Sequence, residues 1–293
     1  MNREKWWQYG ILVIVFMTCI LSFIILWLDE KSEYGLLNKL EESQLVEQET
    51  ANERTDKEQQ QTTSQSPQDQ ESEEEEAILE QQLDFLVVID PGHQKNANLE
   101  QEPIGPGAAE TKYKVTGGTT GVVTNKPEYV LNLEASLLLQ KQLEDRGIRV
   151  ILTRTTHDVD LSNKERAEIA NHSEADLFVR IHADGSENAA TRGFSILVPA
   201  ENDPYTASIY QESYEAAISV INHVSPTIEL NQSGLFYRSD MSGFNWSKVP
   251  VILPEIGFMT NPEDDENLSD PAYLENLMEL VGAGIEAYAL TKQ

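Results

Sequence analysis

Three short apolar runs in this chain each end in residues that can do chemistry. Phe85 to Ile89 (FLVVI) runs into Asp90, Pro91, Gly92 and His93. Leu177 to Ile181 (LFVRI) runs into His182, Ala183 and Asp184. Val249 to Leu253 (VPVIL) runs into Pro254, Glu255, Ile256, Gly257 and Phe258. Short β-branched runs of this kind read as buried strands. In an open α/β sheet, ligands bind beyond the carboxyl ends of the strands. If the three strands are parallel neighbours, His93, His182 and Glu255 converge on one edge. Each residue alone also has an ordinary reading: Asp-Pro-Gly is a common turn, and a histidine at a strand end is often merely packed. Two histidines and a glutamate at three equivalent strand ends are harder to dismiss.

That chemistry suits a catalytic zinc site, which needs three protein ligands and one open position. Glu128 is the best candidate for a third ligand. It follows Pro127 in the first turn of a helix expected over 127–146, and Leu131, Ala135 and Leu138 continue its face toward the sheet. On these residues alone, the better reading of it is a favourable acid at a helix N-terminus. Glu134 is a weaker choice, mid-helix and off that stripe. His157 lies in a polar loop, and His172 and His223 lie near helix ends, where a cation suits the dipole.

The elements that must position these residues alternate along the chain. Further strands are expected over 148–153 and 194–198. Helices are expected from Ser162 to about His172, with Ser162 and Glu165 at capping-box spacing, over 205–224, and over 271–290 with Pro271 at its start. The pattern predicts an α/β domain over 84–293 with a largely parallel, twisted sheet covered by helices on both faces.

The first 83 residues differ in kind. Residues 10–28 are almost wholly apolar and uncharged, long enough to cross a hydrocarbon core of about 30 Å as a helix. Trp6, Trp7, Tyr9 and Trp27 flank the run where interfacial aromatics belong, and Arg3 and Lys5 precede it. These features predict an uncleaved transmembrane anchor with residues 1–9 in the cytoplasm and the rest exported. A signal peptide would have a shorter apolar region and a small-residue cleavage site. Residues 29–83 are rich in Gln and Glu and are expected to form a solvated acidic linker. The only cysteine, Cys19, lies in the apolar run, so the exported part can form no disulfide. The net charge is −29 overall and −17 over residues 81–293, which argues against a nucleic-acid partner.

The blocks VVIDPGHQ, NKPEYVLNL, ILTRT, ERAEIAN, VRIHADG and VILPEIGFMTN occur in this order. In that arrangement the chain resembles the zinc-dependent N-acetylmuramoyl-L-alanine amidases, over about 86–289. The resemblance implies one zinc ion held by His93, Glu128 and His182, with Glu255 as the catalytic general base. It implies hydrolysis of the bond between the lactyl group of N-acetylmuramic acid and L-alanine, with peptidoglycan as the partner. Gly257, Phe258 and Asn261 match the pattern and are expected to shape their loop. Arg154, Arg166 and Asn171 match without an evident chemical role. Gln94 and Lys95 follow His93 where the family often has two glycines. The long Gly/Pro-bearing interval from His93 to Glu128 is expected to be an ordered loop at the edge of the site. A carboxypeptidase-like metallopeptidase would commonly carry HxxE, and neither His93 nor His182 has Glu at the third following position. A degenerate scaffold is not supported, since all four positions are present, but an intact site held inactive by a partner fits the same residues. The sequence names no protein activator.

Overall fold

The computed structural model describes residues 83–293. The expected anchor over 10–28 and nearly all of the linker lie outside the described residues. Among the described residues no helix is long and apolar enough to cross a membrane.

The order of elements is β1 (Leu86–Pro91), β2 (Asn98–Pro103), β3 (Thr111–Val115), α1 (Glu128–Glu144), β4 (Arg149–Leu152), α2 (Asn163–His172), β5 (Leu177–Asp184), β6 (Phe194–Pro199), α3 (Tyr210–Val224), β7 (Leu230–Arg238), α4 (Ser242–Asn245), β8 (Val251–Phe258), α5 (Pro262–Ser269) and α6 (Pro271–Leu290). Six strands form one sheet in the order β4-β1-β5-β8-β6-β7. The β4–β1, β1–β5, β5–β8 and β6–β7 pairs are parallel, and β6 runs antiparallel to β8. The sheet is therefore largely parallel, as expected.

Alternation along β1 and β5 explains the layers. Val87, Ile89, Leu177, Val179 and Ile181 point into one apolar cluster with Leu131, Leu139, Val220, Leu277 and Ile285 of α1, α3 and α6. Leu86, Val88 and Phe178 point the other way, onto Ala167 and Ala170 of α2 and Phe244 of α4. Both faces are covered, which is why the strands read as continuous apolar runs.

The helices start where local chemistry allows. Pro127 caps α1 in an extended conformation, and Ser162 and Glu165 form the expected capping box of α2. The buried stripe of α1 runs from Glu128 through Leu131, Ala135 and Leu139, with Leu138 only partly buried. Helix α3 begins at Tyr210, five residues later than expected, because Asp203 organises a turn first. Its Oδ1 accepts from Tyr205 N and its carbonyl from Ala207 N. Strands β2, β3 and β7 and the helix α5 were not expected. They are polar or lie at the edge, and α5 carries no apolar stripe, so periodicity does not reveal them.

Beneath the sheet edge lies a buried ion-pair network. Asp90 is fully buried and accepts from Arg166 Nη1 at 2.7 Å and Arg180 Nε at 3.0 Å. Thr153 Oγ1 donates to the same carboxylate. Burial opposes its charge, but the two guanidiniums outweigh burial and hold the carboxyl well below its ordinary range. A depressed carboxyl contributes stability above its unfolded value of about 3.9, lost progressively as pH falls below that. Asp90→Asn leaves two buried guanidiniums without their anion and is expected to cost roughly 3–5 kcal/mol. Urea unfolding at pH 7 checks the cost, and repeating it below about pH 4 should show the gap to wild type narrowing. A gap that stays constant with pH would contradict this assignment.

Candidate active site

Strands β1, β5 and β8 are adjacent and parallel, so their carboxyl ends meet at one edge. His182 and Glu255 are register partners across β5 and β8. His93 lies two residues beyond β1, with φ of +59°. That left-handed conformation costs a non-glycine residue roughly 1–3 kcal/mol and persists only where the surroundings enforce it.

The enforcing contacts are specific. Arg166 Nη1 donates to the Pro91 carbonyl and Nη2 to the His93 carbonyl. Arg154 donates to the carbonyls of Pro91, Gly92 and Tyr129. Gln94 is buried, accepting from Arg166 and Leu161 N and donating to the Asn96 carbonyl. Arg154 and Arg166, which sequence reasoning left without a role, thus shape the turn that presents His93. Asn171 instead ties α2 to the Trp246 carbonyl and Lys248 N.

His93 Nδ1 lies 2.9 Å from the Thr116 carbonyl. A carbonyl only accepts, so Nδ1 carries a proton, and in the neutral ring Nε2 presents the lone pair. That lone pair faces Glu128 Oε1 at 3.2 Å. His182 Nδ1 faces the same oxygen at 3.1 Å. Asn132 Nδ2 and Ala183 N also approach Oε1, at 3.2 and 3.3 Å, and Thr119 N donates to Oε2 at 2.8 Å. Glu128 is 3 % exposed. Burial raises its carboxyl, but the two imidazoles hold it well below its usual range. Burial lowers His182 to about 4, which keeps it in the neutral, ligand-competent form. Burial also opposes charge on His93, but the Glu128 carboxylate outweighs it and raises that imidazole.

One atom from each of His93, Glu128 and His182 can be chosen so that all lie within 4.8 Å. These three residues could hold a metal ion. The lone pair of His93 Nε2 pointed at a carboxylate oxygen needs a cation or a second proton between them. The 3.1–3.2 Å separations also approach the edge of about 3.3 Å expected for tetrahedral ligands on arms of about 2.0–2.1 Å.

The site opens into a cleft of about 550 Å³ lined by His93, Glu128, His182, Asp184, Glu255 and Thr260. Glu255 Oε2 is buried with no hydrogen-bond partner among the described residues. Burial, then the negative charges of Asp184 and Glu128, raise its carboxyl well above the usual range. A perturbed carboxyl in a cleft marks a candidate acid–base group. Asn261, expected to shape the neighbouring loop, caps α5 and donates to the Ala189 carbonyl. Asp264 accepts from Phe258 N and Gly193 N, tying the same loop to β6. Glu134 is exposed and pairs with Lys126. His172 and His223 each bond a backbone carbonyl one turn back in their own helix, and His157 packs against Tyr129. None of these four joins the cluster.

Sequence reasoning missed Asp184, Thr116 and Asn132. Asp184 was legible as an acid two residues after His182. Thr116 acts through its carbonyl, so its residue type carries no signal. The interval expected to be an ordered edge loop holds a β2–β3 hairpin, and the segment leaving it delivers Thr116 to His93 and Thr119 to Glu128.

Comparison with known proteins agrees with this geometry. The family model described as N-acetylmuramoyl-L-alanine amidase matches residues 87–287. N-acetylmuramoyl-L-alanine amidase Rv3717 of Mycobacterium tuberculosis is 30 % identical over 222 residues, covering 71 % of this chain and 87 % of the relative. The amidase Ami1 of Mycobacterium smegmatis superposes with a TM-score of 0.65 at 26 % identity, over 72 % of this chain and 99 % of that one. Ami1 of Mycobacterium abscessus gives 0.63 at 29 % identity, over 70 % and 98 %. The chain belongs to the N-acetylmuramoyl-L-alanine amidase family, and its reaction is hydrolysis of an amide bond in peptidoglycan.

Proposed function

We propose that the chain cuts the bond between the lactyl group of N-acetylmuramic acid and L-alanine, with zinc held by His93, Glu128 and His182 and Glu255 as general base. The carrying observation is the contact of both imidazoles with one Glu128 oxygen, beside the unpartnered carboxylate of Glu255. A donor set of two imidazoles and a carboxylate suits zinc with one position left open. Bound zinc supplies a Lewis acid for the scissile carbonyl and lowers the pKa of a nearby water toward about 7.

The chain's own residues do the rest. Thr116 holds the tautomer of His93, and Asn132 and Thr119 orient the Glu128 carboxylate, as supporting shells do for metal ligands. Glu255 Oε2 has no competing donor, so it is available to take the proton of the attacking water. It then returns that proton to the departing nitrogen of L-alanine. Its buried setting raises its proton affinity in the free protein, and a divalent cation beside it would pull that affinity back down.

The proposed setting is a membrane anchor over 10–28 with the catalytic domain outside the cell membrane on its acidic linker. The apolar run and its flanking charges support this. Protease added to intact cells should remove the catalytic domain while an N-terminal tag stays protected. A fully protected domain would overturn it.

His93→Ala, Glu128→Ala and His182→Ala are each expected to lose zinc and turnover together. Glu255→Gln is expected to keep zinc near one per chain while turnover falls by a factor of about 10²–10⁴. Metal analysis and mass identification of products from purified peptidoglycan check both, and free L-alanine N-termini should appear with glycan strands intact. Full turnover in Glu255→Gln would refute the assigned mechanism.

Gly92 supplies a separate check. A Cβ there would lie 2.4 Å from His182 Cε1 and Nε2. Gly92→Ala should push the imidazole off Glu128 and weaken zinc binding by about 10–100-fold, read by competition with a chromophoric chelator. Unchanged affinity would mean that His182 is not a ligand.

A further inference from the structure

A second cleft, of about 380 Å³, adjoins the metal cleft, and Thr116 lines both. One wall is the hairpin, through Gln101, Lys112 and Tyr113. The other is the turn into α4, through Asp240 and Met241. Arg180 and Asn163 also line it. Trp246 Nε1 donates to the Pro103 carbonyl, and Lys112 bonds Asp240, so the two walls are tied together.

Arg180 is 2 % exposed. Its Nε donates to Asp90 and its Nη2 to Asn163 Oδ1 at 2.7 Å. Its Nη1 makes no hydrogen bond to any described residue. Asp90 already has a full ion pair with Arg166 Nη1. One carboxylate between two guanidiniums leaves a buried positive charge in surplus, within a stretch whose net charge is −17. The Nη1 group without a protein partner opens to the cleft, where an anion can meet it at little further desolvation cost. The other charged residues lining this cleft are Lys112 and Asp240, which pair with each other, and Asp240 also pairs with Arg238. They add no net negative charge.

We propose that this cleft is a subsite for a carboxylate of the stem peptide, received by the Arg180 guanidinium; the proposal rests on the amidase reading above. A planar guanidinium with free N–H groups matches a carboxylate in geometry as well as charge. The spacing agrees. Arg180 precedes His182 by two positions on β5, so their Cα atoms stand about 6.6 Å apart along the strand and their side chains leave the same face. The α-carboxyl of the residue after L-alanine lies about two residues, roughly 7 Å, from the lactyl carbonyl. A peptide leaving the metal cleft past Thr116 reaches Arg180 at that residue.

The test uses two soluble muramoyl peptides that differ in one group: the α-carboxyl of the second residue is free in one and a carboxamide in the other. Wild-type full-length chain in detergent, loaded with zinc, should favour the free acid by about 10-fold or more in kcat/KM, carried in KM. Arg180→Gln should reduce that preference to within about twofold. Gly243→Ala should do the same by another route, because its Cβ would meet Arg180 Nη1 and push the guanidinium aside. If Arg180→Gln does not fold, wild type and Gly243→Ala carry the test. Equal treatment of both peptides by wild type, or a preference that survives displacement of the guanidinium, overturns the subsite. Calorimetry with zinc-loaded Glu255→Gln reads the same preference in Kd without turnover. Failure of wild type to cleave either peptide would therefore count against the amidase reading alone, and equal Kd values against the subsite alone.

Discussion

The Asp90 carboxylate, buried between the guanidiniums of Arg166 and Arg180, is the interaction on which the site depends. Its position is set by β1, and its charge draws two arginines from separate elements, α2 and β5, to the carboxyl end of the sheet. Once there, Arg166 reaches past Asp90 to the carbonyls of Pro91 and His93. The turn after β1 is thereby held in a conformation that His93 would not adopt unaided. A buried ion pair is weak evidence for net stability, since desolvation offsets most of its Coulomb energy. Here its effect is positional: it converts a flexible strand end into a fixed mount for an imidazole.

The sheet order does the same for the other groups. Parallel pairing of β5 with β8 puts His182 opposite Glu255, and α1 brings the Glu128 carboxylate across to both histidines. Glu128 has donors on every side, whereas Glu255 Oε2 has none. Two carboxylates in one cleft are therefore driven to opposite protonation behaviour. Surrounding donors stabilise the anion of the first, and burial among negative charges disfavours the anion of the second. Opposite surroundings thus give two groups of the same type different proton affinities within one cleft.

Several of these features cost stability. A left-handed His93, an unpartnered Glu255 and a surplus guanidinium at Arg180 are each unfavourable where they stand. What tolerates them is the apolar packing on both faces of the sheet, where Val87, Ile89, Phe178 and Val179 are fully buried. His93 and Glu255 stand toward the carboxyl ends of β1 and β8, and Arg180 follows Val179 directly on β5 with its guanidinium over the Phe178 ring, so the packed core borders all three.

The amino-acid sequence alone determined the pattern of buried strands, the capped helices, and the placing of His93, His182 and Glu255 after apolar runs. These signals are local: side-chain periodicity, capping chemistry and a polar residue at a strand end can each be read within a dozen residues. Glu128 was half legible, because an acid in the first turn of a helix has an ordinary explanation that local sequence cannot remove. Only the tertiary structure shows what it faces, by bringing both imidazoles within 3.2 Å of its carboxylate. The roles of Arg154, Arg166 and Arg180, the hairpin over 98–115 and the carbonyl of Thr116 were likewise decided by the fold. The three arginines and the Thr116 carbonyl each act through a partner 17 or more positions away, and several act through backbone atoms. A carbonyl has no side-chain identity, and the pairing of distant charges depends on strand order, so neither leaves a mark on the local pattern of residues.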